Sequence, residues 1–281
     1  MSGGGCKDGG MTMLCQTCGV EAADPLPEVC PICADERQYL PSDGVQRWVE
    51  LDELRSQGHR TELRRLEPDL WGLVTTPKVG IGHTGLLVRT PAGLVLWDPP
   101  GFVDEGIAAE IRGQGPVLAI VPSHPHMYGL QLEWAAALGG VPVVLSGADR
   151  DWVQRTGDAL DFFDDHRELA PGLAVHRFGG HFAGSSVLEW SAGADGRGVL
   201  LVSDTLMVNP DRTSFSFMRS YPNRIPLSGA TVQRLAGRVA ELTADRAYSN
   251  FGNVLESDLQ QVVRRSADRH AAWCAGEYDQ E

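Results

Sequence analysis

Positive charge is scarce in this 281-residue chain: 24 Lys and Arg stand against 37 Asp and Glu, for a formal net charge of −13. No basic run occurs in it. A phosphate backbone needs clustered Lys and Arg, so nucleic acid is excluded as a partner, and docking on an anionic membrane surface is excluded on the same ground. Long apolar runs are missing too. "GLVLW" (93–97) and "GVLLV" (198–202) are strand-sized and far short of a membrane span. The N-terminal "MSGGGCKDGG" lacks the charged-then-apolar layout of a signal peptide, which makes the cytoplasm the expected location. There is no G-x-S-x-G elbow, which argues against a serine hydrolase. Apolar residues are not scarce: at 42%, with seven Trp, they suffice for a well-buried core. The length suits one large domain, or one ordinary domain with a small appendage.

Four of the six cysteines are paired as "CQTC" (Cys15, Cys18) and "CPIC" (Cys30, Cys33), with eleven residues between the pairs. Each C-x-x-C knuckle turns two sulfurs toward one ion, so the doubled motif suits a tetrahedral thiolate site. "CQTCGVEAADPLPEVCPIC" resembles the rubredoxin and zinc-ribbon family over residues 13–38. Zinc is the expected ribbon metal, and iron fits the same four sulfurs. Cys6 falls in a Gly-rich stretch and Cys274 in a C-terminal helical pattern, and neither needs a special role.

The expected organisation is a flexible tail (1–12), the ribbon (13–38), a linker with a helix over 45–59 (39–69), and an α/β domain (70–281). In the last of these, "GLLVRT", "GLVLWD", "VLAIVPS", "VPVVLSG", "LAVHRFG", "SSVLEWS" and "GVLLVSD" read as strands. Several are continuous apolar runs suited to a sheet covered on both faces. "IAAEIRGQG", "LQLEWAAALGG", "ADRDWVQR", "TVQRLAGRVAELTA" and the C-terminal "ESDLQQVVRRSADRHAAWCAGE" read as helices.

Open α/β sheets build sites where strands stop. Asp98 follows "GLVLW", His124 and His126 follow "VLAIVPS", His181 sits in the turn "GGHFAGSS", and Asp204 ends "GVLLVSD". Two histidines one residue apart on an extended chain point the same way. With a third His and an Asp they make a shell suited to zinc or iron.

Taken in order, "VLWDPPG", "SHPHMYG", "GGHFAGSS" and "LLVSDTL" resemble the motifs of the metallo-β-lactamase superfamily over residues 70–250. The resemblance implies a four-layer αβ/βα sandwich, with two mixed sheets back to back, helices outside and metals at one edge. It implies His124, His126, His181 and Asp204 as ligands of a first metal, zinc or iron. The second metal's Asp and His are here Tyr128 and Gly129, and the late "AYSNFGN" has no histidine, so one active-site metal is expected.

A single ion of this kind suits hydrolysis of an activated carbonyl: a lactone, a thioester or another ester. Tyr128 is expected either as a catalytic donor to a substrate oxygen or as space-filling, with Asp204 as the catalytic carboxylate. Arg219, Tyr221 and Asn223, in "SFMRSYPN" (216–223), are candidate substrate-binding residues. The alternatives are an iron oxygenase using His124, His181 and Asp204, with the ribbon carrying electrons, and a non-catalytic scaffold. The expected partner is a small-molecule substrate; a homodimer is compatible with a sequence that does not set the oligomeric state.

Overall fold

The structure, a computed structural model, describes residues 11–280, so most of the expected tail over 1–12, with Cys6, lies outside the described residues. Thr12 is already anchored, its hydroxyl donating to Glu133 at 2.7 Å and its carbonyl accepting from Leu51 at 3.1 Å.

The ribbon is a three-stranded sheet of β1 (Met13–Cys15), β2 (Glu21–Ala22) and β3 (Trp48–Glu50), with β1 in the middle. Its second knuckle is the short helical turn Pro31–Ala34. Where a helix was expected over 45–59, residues 48–50 form β3 and only Leu51–Ser56 is helical. Nor is 39–69 a linker. Arg60–Glu67 is β4, which pairs along its length with β5 (Leu70–Thr76) as the edge of the first large sheet. Neither ribbon nor sheet ends where composition changes.

The first large sheet continues through β6 (Gly85–Thr90), β7 (Gly93–Trp97), β8 (Val117–Val121), β9 (Val143–Ser146) and β10 (Leu160–Phe163), seven strands in the order β10-β9-β8-β7-β6-β5-β4. The second contains β11 (His166–Ala170), β12 (Leu173–Arg177), β13 (Ser186–Trp190) and β14 (Val199–Leu201). Two short hairpins follow: β15 (Met207–Val208) with β16 (Phe215–Ser216), and β17 (Met218–Ser220) with β18 (Ile225–Pro226). Then β19 (Arg246–Tyr248) and β20 (Val254–Leu255) complete the six-stranded order β11-β12-β13-β14-β19-β20.

Alternate side chains of one strand face opposite ways, which explains the continuous apolar runs. Val95 and Trp97 join Leu86, Val88, Val175, Leu188 and Leu201 between the sheets, while Leu94 and Leu96 face the outer layer. That layer holds the helices Glu105–Gly113 and Gln131–Ala137. On the other side Val187, Leu200 and Ala247 pack under Gly229–Val239 and Leu259–Cys274. All seven expected strands form, and the four-layer αβ/βα sandwich is the fold. Of the expected helices, "ADRDWVQR" yields only the 3₁₀ segment Gly147–Trp152.

The ribbon is part of the core rather than a satellite. Leu14, Cys15, Cys18, Val20 and Ile32 belong to the same buried cluster as Leu73, Phe102, Tyr128 and Trp134. Glu21, 1% exposed, accepts from the Leu132 amide at 2.9 Å and pairs with Arg155 at 2.8 Å. No helix among the described residues is long and apolar enough to cross a membrane.

Candidate metal centre

At one edge of the sandwich the chain leaves its strands abruptly. Asp98, directly after β7, and Ser203, two residues after β14, sit in the left-handed region at φ 51° and 47°. Such backbone costs a non-glycine residue on the order of 1–3 kcal/mol and persists where its surroundings over-determine it. Asp98 is fixed in that way: it accepts from the Ser123 amide at 2.6 Å, the Ser123 hydroxyl at 3.1 Å, and Asn250.

His124, His126, His181 and Asp204, none more than 6% exposed, converge at this edge. Asp204 Oδ2 lies 3.6 Å from His124 Nε2 and 3.8 Å from His181 Nε2, and His181 Nε2 lies 3.2 Å from His126 Nδ1. Tetrahedral ligands at about 2.0–2.1 Å from an ion stand about 3.3 Å apart, so the set fits one ion with small adjustments. The outer nitrogens bear this out. His181 Nδ1 donates to the Met218 carbonyl at 3.0 Å, and His124 Nδ1 to the Ser123 hydroxyl at 2.8 Å, which leaves each Nε2 a lone pair. His124 Nε2 and Asp204 Oδ1 are buried with no hydrogen-bond partner, as donors awaiting an ion would be.

Burial, then the charges of His124 and His181, hold His126 well below the usual imidazole range. His181 is pushed down to about 4, first by burial. Burial would raise Asp204, but hydrogen bonding to His124 and its charge more than offset that, and the carboxyl stays below its ordinary value. Neutral imidazoles and an ionised carboxylate are the forms that bind a metal.

The second cluster is Cys15, Cys18, Cys30 and Cys33, all buried and none in a disulfide. Cys15 and Cys33 sulfurs are 3.7 Å apart, and Cys18 and Cys30 sulfurs 3.8 Å. Tetrahedral thiolates about 2.3 Å from an ion stand about 3.8 Å apart. Gln46 Nε2 donates to the Cys15 sulfur at 3.3 Å.

Other expectations about the site need correction. The His-x-His segment is not extended, because Pro125 starts a 3₁₀ turn over Pro125–Met127. Tyr128 is therefore turned away from the face expected of it. It is buried in the outer core, and its hydroxyl donates to the Asp149 carbonyl at 3.3 Å. Burial, with the charge of Asp149, keeps that phenol well above its usual range. Arg219 pairs with Glu36 of the segment that follows the ribbon's second knuckle. Asn223 donates to the Glu36 and Gln38 carbonyls at 2.9 and 2.8 Å. Tyr221 alone of the three reaches the centre, its ring 5.9 Å from that of His181 and its hydroxyl donating to the Asp204 carbonyl at 3.3 Å.

Four further residues stand at the centre that the sequence reading did not single out. His83, which donates through Nε2 to the Pro99 carbonyl at 3.2 Å, is pushed down to about 4, first by burial, and feels the charges of Asp204 and His124. Asn250 stands in the stretch where the superfamily's late histidine was sought, which is the one signal that could have found it. Phe182 packs its ring 4.9–5.7 Å from those of all three histidines. Arg37 stacks 4.1 Å above Phe182 and donates through Nε to the His181 carbonyl at 2.8 Å. A cavity of about 350 Å³, lined by Leu66, Val74, Leu86 and Phe251 among others, opens beside Thr84 and Ser249, sequence neighbours of His83 and Asn250.

No protein-family model matches the sequence. The chain is 39% identical over 261 residues to the uncharacterized protein YmaE of Bacillus subtilis (strain 168), covering 92% of this chain and 94% of that one. Among solved structures it is similar to the DIM-1 metallo-β-lactamase (TM-score 0.54, 14% identity, 75% of this chain and 98% of that one). It is similar also to a metallo-β-lactamase from Pontibacter korlensis (TM-score 0.51, 20% identity, 75% and 99%). The Flv1 flavodiiron core from Synechocystis matches at TM-score 0.51 and 11% identity, over 76% of this chain and 61% of that one. The chain thus belongs to the family of the Bacillus subtilis protein, and it has the metallo-β-lactamase fold with a three-histidine, one-aspartate cluster at its edge.

Proposed function

We propose that the protein is a hydrolase with a single metal ion in its sandwich domain, acting on an activated carbonyl: a lactone, a thioester or another ester. Zinc is the metal proposed for both this centre and the ribbon. The observation that carries the reading is the buried convergence of His124, His126, His181 and Asp204 at the strand ends, with donor atoms left unpartnered. That one ion rather than two is held is supported by Gly129. It sits at φ 51°, and a Cβ there would fall 2.3 Å from the Pro99 carbonyl oxygen, which leaves a histidine no room. Asn250, engaged with Asp98, supplies no imidazole either. Without a second ion to hold both attacking and leaving oxygens, a phosphodiester is a poor substrate.

A bound divalent ion supplies Lewis acidity and lowers the pKa of water toward ~7. The chain's own residues do the rest. Asp98, through the Ser123 hydroxyl, fixes the His124 ring so that its Nε2 faces the centre. Asp204 stays ionised and cancels one of the ion's charges. His83 donates through Nε2 to the Pro99 carbonyl and, kept neutral by burial, adds no charge beside Asp204. Phe182 and Tyr221 exclude water around the histidines. Tyr128 has no catalytic part in this scheme. Five free cysteines among the described residues, four of them clustered in the ribbon, support a reducing compartment such as the cytoplasm.

Elemental analysis of protein purified without added metal tests the reading, with two zinc per chain and no colour expected. Iron at the sandwich centre would replace it with the oxygenase alternative. His181→Ala should lose one of the two ions together with any lactonase, thioesterase or esterase activity found by screening. A metal-free, active His181→Ala protein ends the metallohydrolase reading.

A further inference from the structure

The ribbon brings one side chain to the metal centre. Arg37 stands four residues after Cys33, and its side chain is only 12% exposed. Its backbone is held on both sides. The Arg37 amide donates to Asp35 at 2.9 Å, and the Arg37 carbonyl accepts from the Ser220 hydroxyl at 3.0 Å. Asn223 grips the carbonyls of the residues before and after it. The residues sought as a substrate-binding loop thus serve to clamp Arg37.

The guanidinium is only partly used. Of its five N–H donors, Nε gives one to the His181 carbonyl and Nη1 one to Asp35 at 2.7 Å; Nη2 donates to no described residue. Its central carbon stands 4.1 Å from the Phe182 ring and 5.7 Å from the Trp152 ring; Phe182 in turn packs against Trp152 and the three histidine rings, and the charge of Arg37 is felt at His126 and His181. In a chain with a net charge of −13, a cation held this close to a metal centre with a single carboxylate partner is out of keeping with its surroundings. A planar fork with free donors is suited to a carboxylate.

We propose that Arg37 is a specificity-determining residue of the metal centre, recognising a carboxylate carried by the substrate beside its scissile carbonyl. The active site is then incomplete without the ribbon: the Cys30–Cys33 knuckle, closed on its ion, sets the position of Arg37. This inference rests on the hydrolase reading, in which the ion keeps an open position for substrate.

The test uses full-length protein loaded with two zinc per chain, titrated calorimetrically with 3-mercaptopropionate and with its neutral analogue 3-mercaptopropan-1-ol. Both thiols can reach an open metal position, and only the first offers a carboxylate. Wild type should prefer the carboxylate by about tenfold or more, the scale of a charge-assisted hydrogen bond. Arg37→Gln should bring the two affinities together while both ions stay bound. Arg37→Lys, with the charge but no fork, should fall between, and it decides alone if Arg37→Gln does not keep its metals. Equal affinities in wild type, or an unchanged preference in the variants, overturn the role of Arg37 and leave the hydrolase reading standing. If neither thiol binds, the ion has no open position, and the hydrolase reading falls and takes the Arg37 proposal with it.

Discussion

Replacing Gly129 with alanine tests how tightly the turn after the His-x-His pair is built. The residue sits at φ 51°, where an L side chain costs about 1–2 kcal/mol. The new Cβ would also lie 2.3 Å from the Pro99 carbonyl oxygen and 3.2 Å from the Pro100 carbonyl, so the Pro99–Pro100 segment must move by about 1 Å. That segment is not free to do so. Pro99 accepts from His83 at 3.2 Å and Pro100 from the Trp134 indole at 3.0 Å, and Gly129 itself accepts from the Glu21 amide of the ribbon at 3.0 Å. Overpacking of this kind costs about 1–3 kcal/mol. Together the two effects predict a loss of roughly 2–5 kcal/mol, or a melting temperature lower by roughly 3–9 °C. The assay is urea and thermal unfolding of metal-loaded protein, with Gly237→Ala as the control. Gly237 lies inside the helix Gly229–Val239 with nothing within 4 Å of its Cβ position, so alanine there should stabilise by about 0.5–1 kcal/mol. A Gly129→Ala protein within about 0.5 kcal/mol of wild type would refute the crowding argument and reopen the second metal position.

Ser123→Ala removes the hydroxyl between Asp98 and His124, and should weaken the sandwich-site metal by about 10–100-fold in chelator competition. Unaltered affinity would show that the ring is oriented by something else. Burial raises Glu21 to about 7 against an ordinary 4.5, with Arg155 opposing. Native protein therefore binds the extra proton between those values, and this contribution to stability is lost as pH rises through 4.5 to 7. Glu21→Gln should remove that slope, so that wild type loses up to about 3 kcal/mol relative to the variant between pH 4.5 and 8; parallel urea midpoints across that range would contradict the assignment. Cys30→Ser should release the ribbon ion and lower the melting temperature of the whole chain in one transition, because the ribbon cysteines share a core with Leu73 and Trp134. A sandwich domain that melts separately at its wild-type temperature would mean the ribbon is an independent unit.

Much of this protein was legible in the sequence because the signals are local. Strand runs, two C-x-x-C knuckles and histidines at strand ends are set by spacing along the chain and by which side chains can donate to a metal. Both donor clusters therefore formed from the residues expected. Tyr128 went differently: Pro125, in plain view, begins a turn that rotates every later side chain, and the phenol found its partner at Asp149. Arg219 and Asn223 were placed in the right loop, but what that loop touches is the end of the ribbon, at Glu36 and Gln38, rather than open space.

Only the tertiary structure decided how the ribbon is seated. Residues 13–38 looked like an appendage because their motif is self-contained, and their four ligands need nothing from elsewhere. The docking rests instead on scattered groups: the Glu21 carboxylate, the close approach of Gly80 to the ribbon, where a Cβ would fall 2.5 Å from the Gly19 nitrogen, and the guanidinium of Arg37. His83 and Asn250 reached the centre in the same way, each from a loop with no pattern around it. A metal site can be written into short motifs because its ligands are few and chemically distinctive. A docked interface has no such alphabet, since shape and burial exist only once distant segments have met.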